Sequence, residues 1–249
     1  MSTEAVTDPA APGDEPGHEH GDHDEHAHAG GHHGPKWLAH HFETPLQQYD
    51  TAKLGMWAFL AQELLFFSGM FVAYGVYRSW YPEMFKAAAH QLNKEMGATN
   101  TIVLLFSSLT AALAVRSAQL GNRKLTGKLI VTTILCAFGF LTIKFFEYRH
   151  KFEAGLLPGR FFHPHVEHLA AGSPPIPQNG GTYYALYFMM TGVHGIHVAV
   201  GIGVLIWIWV RNNRGDFSKE YWTPVDIVAL YWHLVDLVWI YLFPLLYLI

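Results

Sequence analysis

The stretch "FLAQELLFFSGMF", residues 59–71, sets a single acidic side chain, Glu63, among phenylalanines and leucines. It lies inside a run from Leu54 to Tyr77 that holds no other charge and ends at Arg78. About 20 mostly apolar residues cross a hydrocarbon core as an α-helix, so the run reads as a membrane span with a carboxyl group near its middle. Such a group is costly: about 2.5–3.5 kcal/mol for a charge at the helix centre on insertion scales. A residue kept there at that cost faces a bundle interior, a cavity or a partner.

Four further runs outward from this one have comparable length: 99–120, 129–146, 183–210 and 227–249. With 54–77 they predict an all-α integral membrane helix bundle with five transmembrane helices. The third run is the shortest. Its uncharged part stops at Lys144, whose long stem is expected to snorkel to the interface. Internal glycines such as Gly69, Gly139, Gly192, Gly195 and Gly201 fit this reading, because small residues let membrane helices approach closely. The alternative, a bundle of buried soluble helices, is disfavoured by five such runs in one chain.

Composition agrees. Of 249 residues, 51% are hydrophobic and 14% charged, against about a quarter charged in an ordinary soluble domain. The net charge of −4 comes largely from the first 35 residues and says little about partners. The one cysteine, Cys136, rules out an intrachain disulfide. No secretory signal is visible at the start, which has neither a basic segment nor an apolar stretch.

The chain divides into a His-rich N-terminal tail, 1–35, and a five-span membrane domain, 36–249. The tail has Val6 as its only Val, Ile or Leu and is expected to be disordered, since it cannot bury a core. Its histidines (His18, His20, His23, His26, His28, His32 and His33) have the chemistry to ligate Zn²⁺, Ni²⁺ or Cu²⁺, but the favoured reading is a solvated tail that binds metal adventitiously. Residues 83–98 read as a loop between the first two spans. The longer connection, 147–182, is punctuated by Pro158, Pro164, Pro174, Pro175 and Pro177, which argue against a continuous helix. Its histidines, His163, His165 and His168, read as polar surface in preference to a metal site.

Within or beside the spans the remaining ionisable residues are few. They are Glu147, the pair His194 and His197, and the pair His233 and Asp236. Each pair is three residues apart and so shares a helix face, where a His233 imidazole could donate to the Asp236 carboxylate and fix its own tautomer. Two such pairs are compatible with a metal site or a proton relay. Helix-to-helix hydrogen bonding is the reading favoured on spacing alone. A divalent-cation transporter would be expected to gather carboxylates and histidines at i, i+4. A membrane di-iron oxygenase needs about eight clustered histidines. Neither pattern is present, nor is a phosphate-binding loop, a nucleophile elbow or a nucleic-acid surface; the divalent-cation transporter stays as the alternative from another class.

Five segments, in order, carry a resemblance: "HHFETPLQQYDTAKLGMWAFLAQELLFFSGMF", "TNTIVLLFSSLTAALA", "KFFEYRHKF", "YFMMTGVHGIHVAVG" and "YWHLVDLVWIYLFPLLY". Over residues 40–249 the chain closely resembles subunit III of the haem–copper oxidases, in the five-span form found in bacteria. The resemblance implies a subunit with no active site and no cofactor of its own. Haem and copper would lie in the partner subunit I, with copper also in subunit II if cytochrome c is the electron donor. It implies packing on subunit I beside the other oxidase subunits, and phospholipid in a cleft between helices. It also implies support of proton uptake and of turnover stability.

Glu63 matches the family's intramembrane glutamate, in the lipid-facing region near proton uptake. Glu147, His194, His197, His233 and Asp236 match its other intramembrane polar positions, expected to make helix-to-helix and lipid-headgroup contacts. Subunit III of a quinol oxidase, or an accessory subunit of nitric oxide reductase, is the near alternative. The seven-span members have two more helices at the N-terminal end, so another subunit would have to complete the lipid cleft.

The expected location is a bacterial inner (cytoplasmic) membrane. Nine Lys and Arg fall on the side of the N-terminus and seven on the other. The excess favours a cytoplasmic N-terminus and a periplasmic C-terminus.

Overall fold

A computed structural model describes residues 37–39, 41–164 and 177–249. The histidines of the tail, together with His165 and His168, lie outside the described residues. Among the described residues six α-helices appear: α1 (Pro45–Trp80), α2 (Pro82–Ala89), α3 (Lys94–Gln119), α4 (Arg123–Glu153), α5 (Gly181–Arg214) and α6 (Thr223–Tyr247). All except α2 are long and apolar enough to cross a membrane. The fold is a five-span helical membrane bundle.

Local chemistry sets the helix limits. Thr44 caps α1, its hydroxyl accepting from the Gln47 N–H at 3.1 Å, with Pro45 in the first turn. Asn93 caps α3 and Asn122 caps α4 in the same way. These acceptors satisfy N–H groups that have no partner inside the helix. Two exits turn on glycine. Gly121 follows α3 at φ +73° and Gly215 follows α5 at φ +91°, a left-handed conformation that costs other residues about 1–2 kcal/mol. At the end of α6 the Tyr74 and Tyr183 hydroxyls donate to the carbonyls of Leu245 and Leu246, at 2.5 and 2.9 Å. They satisfy carbonyls the helix itself cannot.

Helices α3, α4, α5 and α6 pack in cyclic order as a ring, and α1 lies outside it against α6 and, more lightly, α5. Side-chain hydrogen bonds link the ring: Thr110 to Thr133 (2.8 Å), Trp232 to Ser107 (3.0 Å), Trp239 to Thr101 (3.1 Å) and Tyr148 to Thr191 (2.6 Å). Such bonds average roughly 0.6 kcal/mol in a membrane protein, so close packing carries more of the association. At Gly201 an added Cβ would stand 2.8 Å from the Trp232 ring, and at Gly97 it would stand 2.8 Å from the Phe243 ring. Only glycine lets α5 and α3 lie this close to α6.

Helix α1 is the least enclosed. Only 17% of its most apolar window is buried, and Leu54, Trp57, Leu65 and Val72 point outward. It is tied to α6 at both ends, by Lys53 to Asp226 (3.4 Å) and by Tyr74 to Leu245. The first and fifth spans therefore run parallel, as an alternating five-span path requires.

Two sequence expectations need correction. Residues 83–98 are not simply a loop, because α2 occupies 82–89 and buries Met84, Phe85 and Ala87–Ala89. Eight residues with a short apolar face give too weak a periodic signal to register beside 20-residue runs. The helix of the third span is longer than the predicted 129–146, since α4 runs from Arg123 to Glu153 and takes the first residues of the predicted 147–182 connection. Beyond it the chain forms a 3₁₀ turn at 159–161 and an isolated bridge between Leu156 and Phe162, with no continuous helix among the described residues of that connection.

Candidate functional site

Glu63 lies on the α1 surface turned toward α5. Its carboxyl meets the His197 Nε2 at 3.0 Å, while the His197 Nδ1 lies 2.9 Å from the Val193 carbonyl. A carbonyl only accepts, so Nδ1 carries a proton and donates. With Nδ1 protonated, a neutral imidazole offers Nε2 as an acceptor. The contact then needs one further proton, held by either Glu63 or Nε2. In both arrangements the pair is neutral overall, as a bilayer interior demands. Aromatic rings close around it. Phe67 stands edge-on to His197 with centroids 5.2 Å apart, and Phe66 lies at 6.5 Å. The Tyr231 hydroxyl donates to the His197 carbonyl at 2.9 Å, tying α6 to the same point. Chemically, the site holds a proton between two groups at the boundary between α1 and the ring.

His194, three residues earlier on α5, meets different neighbours. It packs edge-on to Phe140 (5.4 Å) and against Trp239 (5.3 Å) inside the ring. Neither of its ring nitrogens makes a hydrogen bond among the described residues. The two histidines therefore share no site. The His233–Asp236 bond that their spacing permits is absent among the described residues. His233 Nδ1 instead meets the Ser108 hydroxyl at 2.6 Å, across to α3. The buried Asp236 carboxyl makes no direct hydrogen bond among the described residues, although the Ser108 hydroxyl lies beside it. Among the described residues no three His, Cys, Asp or Glu side chains gather as metal ligands.

A second cluster surrounds Glu147. Lys144 is 6% exposed and Glu147 3%, and their ion pair measures 2.9 Å. The lysine therefore does not snorkel. Its Nζ also donates to the hydroxyls of Tyr187 (3.0 Å) and Tyr247 (3.1 Å), and Tyr247 donates to the other Glu147 oxygen at 2.6 Å. The Tyr187 and Trp239 rings stand 5.0 and 5.3 Å from the ammonium. An opposite charge one turn away, with facing tyrosine hydroxyls, lets the ammonium stay inside. The Lys144–Glu147 spacing of three was visible in the sequence, but the tyrosines 43 and 103 residues further on were not connected to it. Lys151, also buried, donates to the Gln91 carbonyl and anchors the segment after α2.

A family model described as cytochrome c oxidase subunit III matches residues 168–249. "Cytochrome c oxidase subunit 3" of Corynebacterium diphtheriae is 30% identical over 211 residues, covering 82% of this chain and 91% of that protein. "Probable cytochrome c oxidase subunit 3" of Mycobacterium tuberculosis is 28% identical over 204 residues, with the same coverage of 82% and 91%. A "heme-copper oxidase subunit I+III" of Aeropyrum pernix is 28% identical over 211 residues, or 80% of this chain and 23% of that longer protein.

Proposed function

Because the chain belongs to the cytochrome c oxidase subunit III family, we propose that it packs on subunit I of a haem–copper oxidase and supports proton uptake there without a redox centre of its own. Haem and copper would be held by subunit I, with further copper in subunit II and cytochrome c as donor. The relative from Aeropyrum pernix, whose name joins subunits I and III, supports this partnership. The weakly enclosed α1, with its outward apolar side chains, is the surface we assign to subunit I and to phospholipid.

The observation that carries this reading is the Glu63–His197 pair. It is a neutral, proton-holding contact on the outer helix, ringed by Phe66 and Phe67. Such a pair can hold or pass a proton near subunit I, and among the described residues it is not part of a group of three or more metal-ligating side chains. Residues 36–249 form the membrane domain in this reading. The N-terminus lies in the cytoplasm in this reading, because the ends bearing Arg123, Lys124, Lys128 and Lys219 carry the basic excess.

The test is Glu63→Gln in the assembled complex. Oxygen consumption is expected to stay close to wild type, with a modest loss in protons pumped per electron or in turnovers before inactivation. Complete loss of oxygen reduction in a correctly assembled variant would overturn the reading.

A further inference from the structure

At the end of the bundle where α4 begins and α5 finishes, a groove of about 800 Å³ is lined by Arg123, Lys124, Lys128, Val131, Trp209 and Asn213, among others, with no carboxylate among its lining residues. A reciprocal clamp holds its mouth. Arg123 Nε donates to the Asn212 carbonyl at 2.5 Å, and the Asn212 side-chain amide donates to the Arg123 carbonyl at 3.0 Å. At Gly127 an added Cβ would stand 3.0 Å from the Asn212 amide nitrogen, so glycine permits this close crossing of the helix ends. The nearby acidic group, Asp216, is engaged by Arg211 at 2.9 Å. Among the described residues Lys124 and Lys128 form no ion pair.

The placement of the cations is informative. They stand in the first turns of α4, which has no acidic residue in its first turn. The helix dipole disfavours positive side chains at that end and favours a bound anion. Membrane orientation alone would account for the number of basic residues here, but not for a clamped, carboxylate-free groove. From Arg123 to Thr132 the groove descends roughly 13 Å along the helix at 1.5 Å per residue. It passes from cations to Val131 and the amphipathic ring of Trp209, a residue type suited to the membrane interface.

We propose that this groove binds an anionic glycerophospholipid. The phosphate lies against Lys124, Lys128 and the clamped Arg123, and an acyl chain runs inward along Val131 and Trp209. A free phosphate ion shares the headgroup chemistry, but it would leave the apolar half of the groove unfilled. The site lies between α4 and α5, whereas Glu63 and His197 lie between α1 and α5. Failure here therefore leaves the reading of that pair standing.

The test is native mass spectrometry of the purified intact complex, washed free of loosely held lipid and titrated with phosphatidylglycerol, phosphatidylcholine or inorganic phosphate. The wild-type complex is expected to retain one more phosphatidylglycerol than the Lys124→Gln/Lys128→Gln double variant. The affinity of that site should fall about thirtyfold, from the typical contribution of two basic side chains at an anionic surface. The charge-keeping Lys124→Arg/Lys128→Arg variant should retain the lipid. Equal phosphatidylglycerol retention by wild type and the Gln variant would overturn the proposal. So would phosphatidylcholine binding the site as well as phosphatidylglycerol, or inorganic phosphate displacing the lipid at equal concentration. Both lysines are exposed, so their replacement leaves the packed bundle untouched.

Discussion

The Lys144 ammonium and the Glu147 carboxylate, one turn apart on α4, form a 2.9 Å ion pair inside the membrane bundle. Water reaches neither group to any extent, and three side-chain hydrogen bonds from or to Tyr187 and Tyr247 complete the cluster. Three helices thereby meet at one charged point: α4 supplies the ions, α5 supplies Tyr187 and α6 supplies Tyr247.

Removing one ion should cost far more than removing both. Breaking a buried pair typically destabilises by about 3–5 kcal/mol, because the remaining charge is left alone, whereas replacing the pair by apolar groups is often close to neutral. Lys144→Met and Glu147→Leu are each expected to lower the thermal inactivation midpoint of the complex and its assembled yield. The double variant should recover most of the loss. If the double variant behaves as the sum of the two singles, the pair is not a coupled unit.

At Glu63 the prediction turns on which atom needs a donor. His197 Nδ1 is committed to the Val193 carbonyl, so Nε2 is the atom that looks to residue 63. A glutamine amide can donate to Nε2, but a leucine cannot. Glu63→Leu should therefore destabilise by about 1–3 kcal/mol by leaving the half-buried Nε2 unsatisfied within the membrane, and Glu63→Gln by much less. Thermal inactivation of the two variants compares them directly. Equal midpoints would show that the hydrogen bond is not needed at this position.

The five spans were legible because each leaves a run of apolar residues that nothing else in the chain imitates. The partners of the polar residues were not. Glu63 and His197 are 134 residues apart, and no local periodicity joins them. Sequence spacing paired His194 with His197 and His233 with Asp236. The side chains instead answer to neighbours across the helix crossing: Glu63 for His197, Ser108 for His233, and the Phe140 and Trp239 rings for His194. Lys144 misled in a similar way. A lysine near the end of an apolar run normally reaches for the interface, and only the facing tyrosines, invisible to a local reading, reverse that.

Membrane orientation can be read from the two ends of the bundle. Lys219 is exposed beside the α4 and α5 ends, and Glu83 is exposed at the start of α2. With Cys136 replaced by serine, Lys219→Cys should react with an impermeant maleimide in inside-out vesicles and not in intact cells. Glu83→Cys should do the opposite. The reverse pattern would place the N-terminus outside and overturn the assignment from basic residues.

The crossing of α5 and α6 supplies the sharpest steric prediction. Gly201 and Gly203 both sit in α5, two residues apart, yet they face different surroundings. A Cβ at Gly201 would meet Trp232 at 2.8 Å and Tyr231 at 3.2 Å, whereas one at Gly203 would meet nothing within 4 Å. Trp232 is held on its far side by the bond from its indole nitrogen to Ser107, so the ring cannot swing away without giving up that contact. Overpacking of this kind typically costs about 1–3 kcal/mol. Gly201→Ala should therefore reduce assembled complex and lower its inactivation midpoint, while Gly203→Ala should leave both near wild type. Both glycines carry the same backbone propensity in a helix, so a difference between the variants isolates the helix crossing as the cause. If Gly203→Ala proves equally damaging, the outer face of α5 is itself packed in the complex, and the surface given to partner subunits would have to extend there from α1.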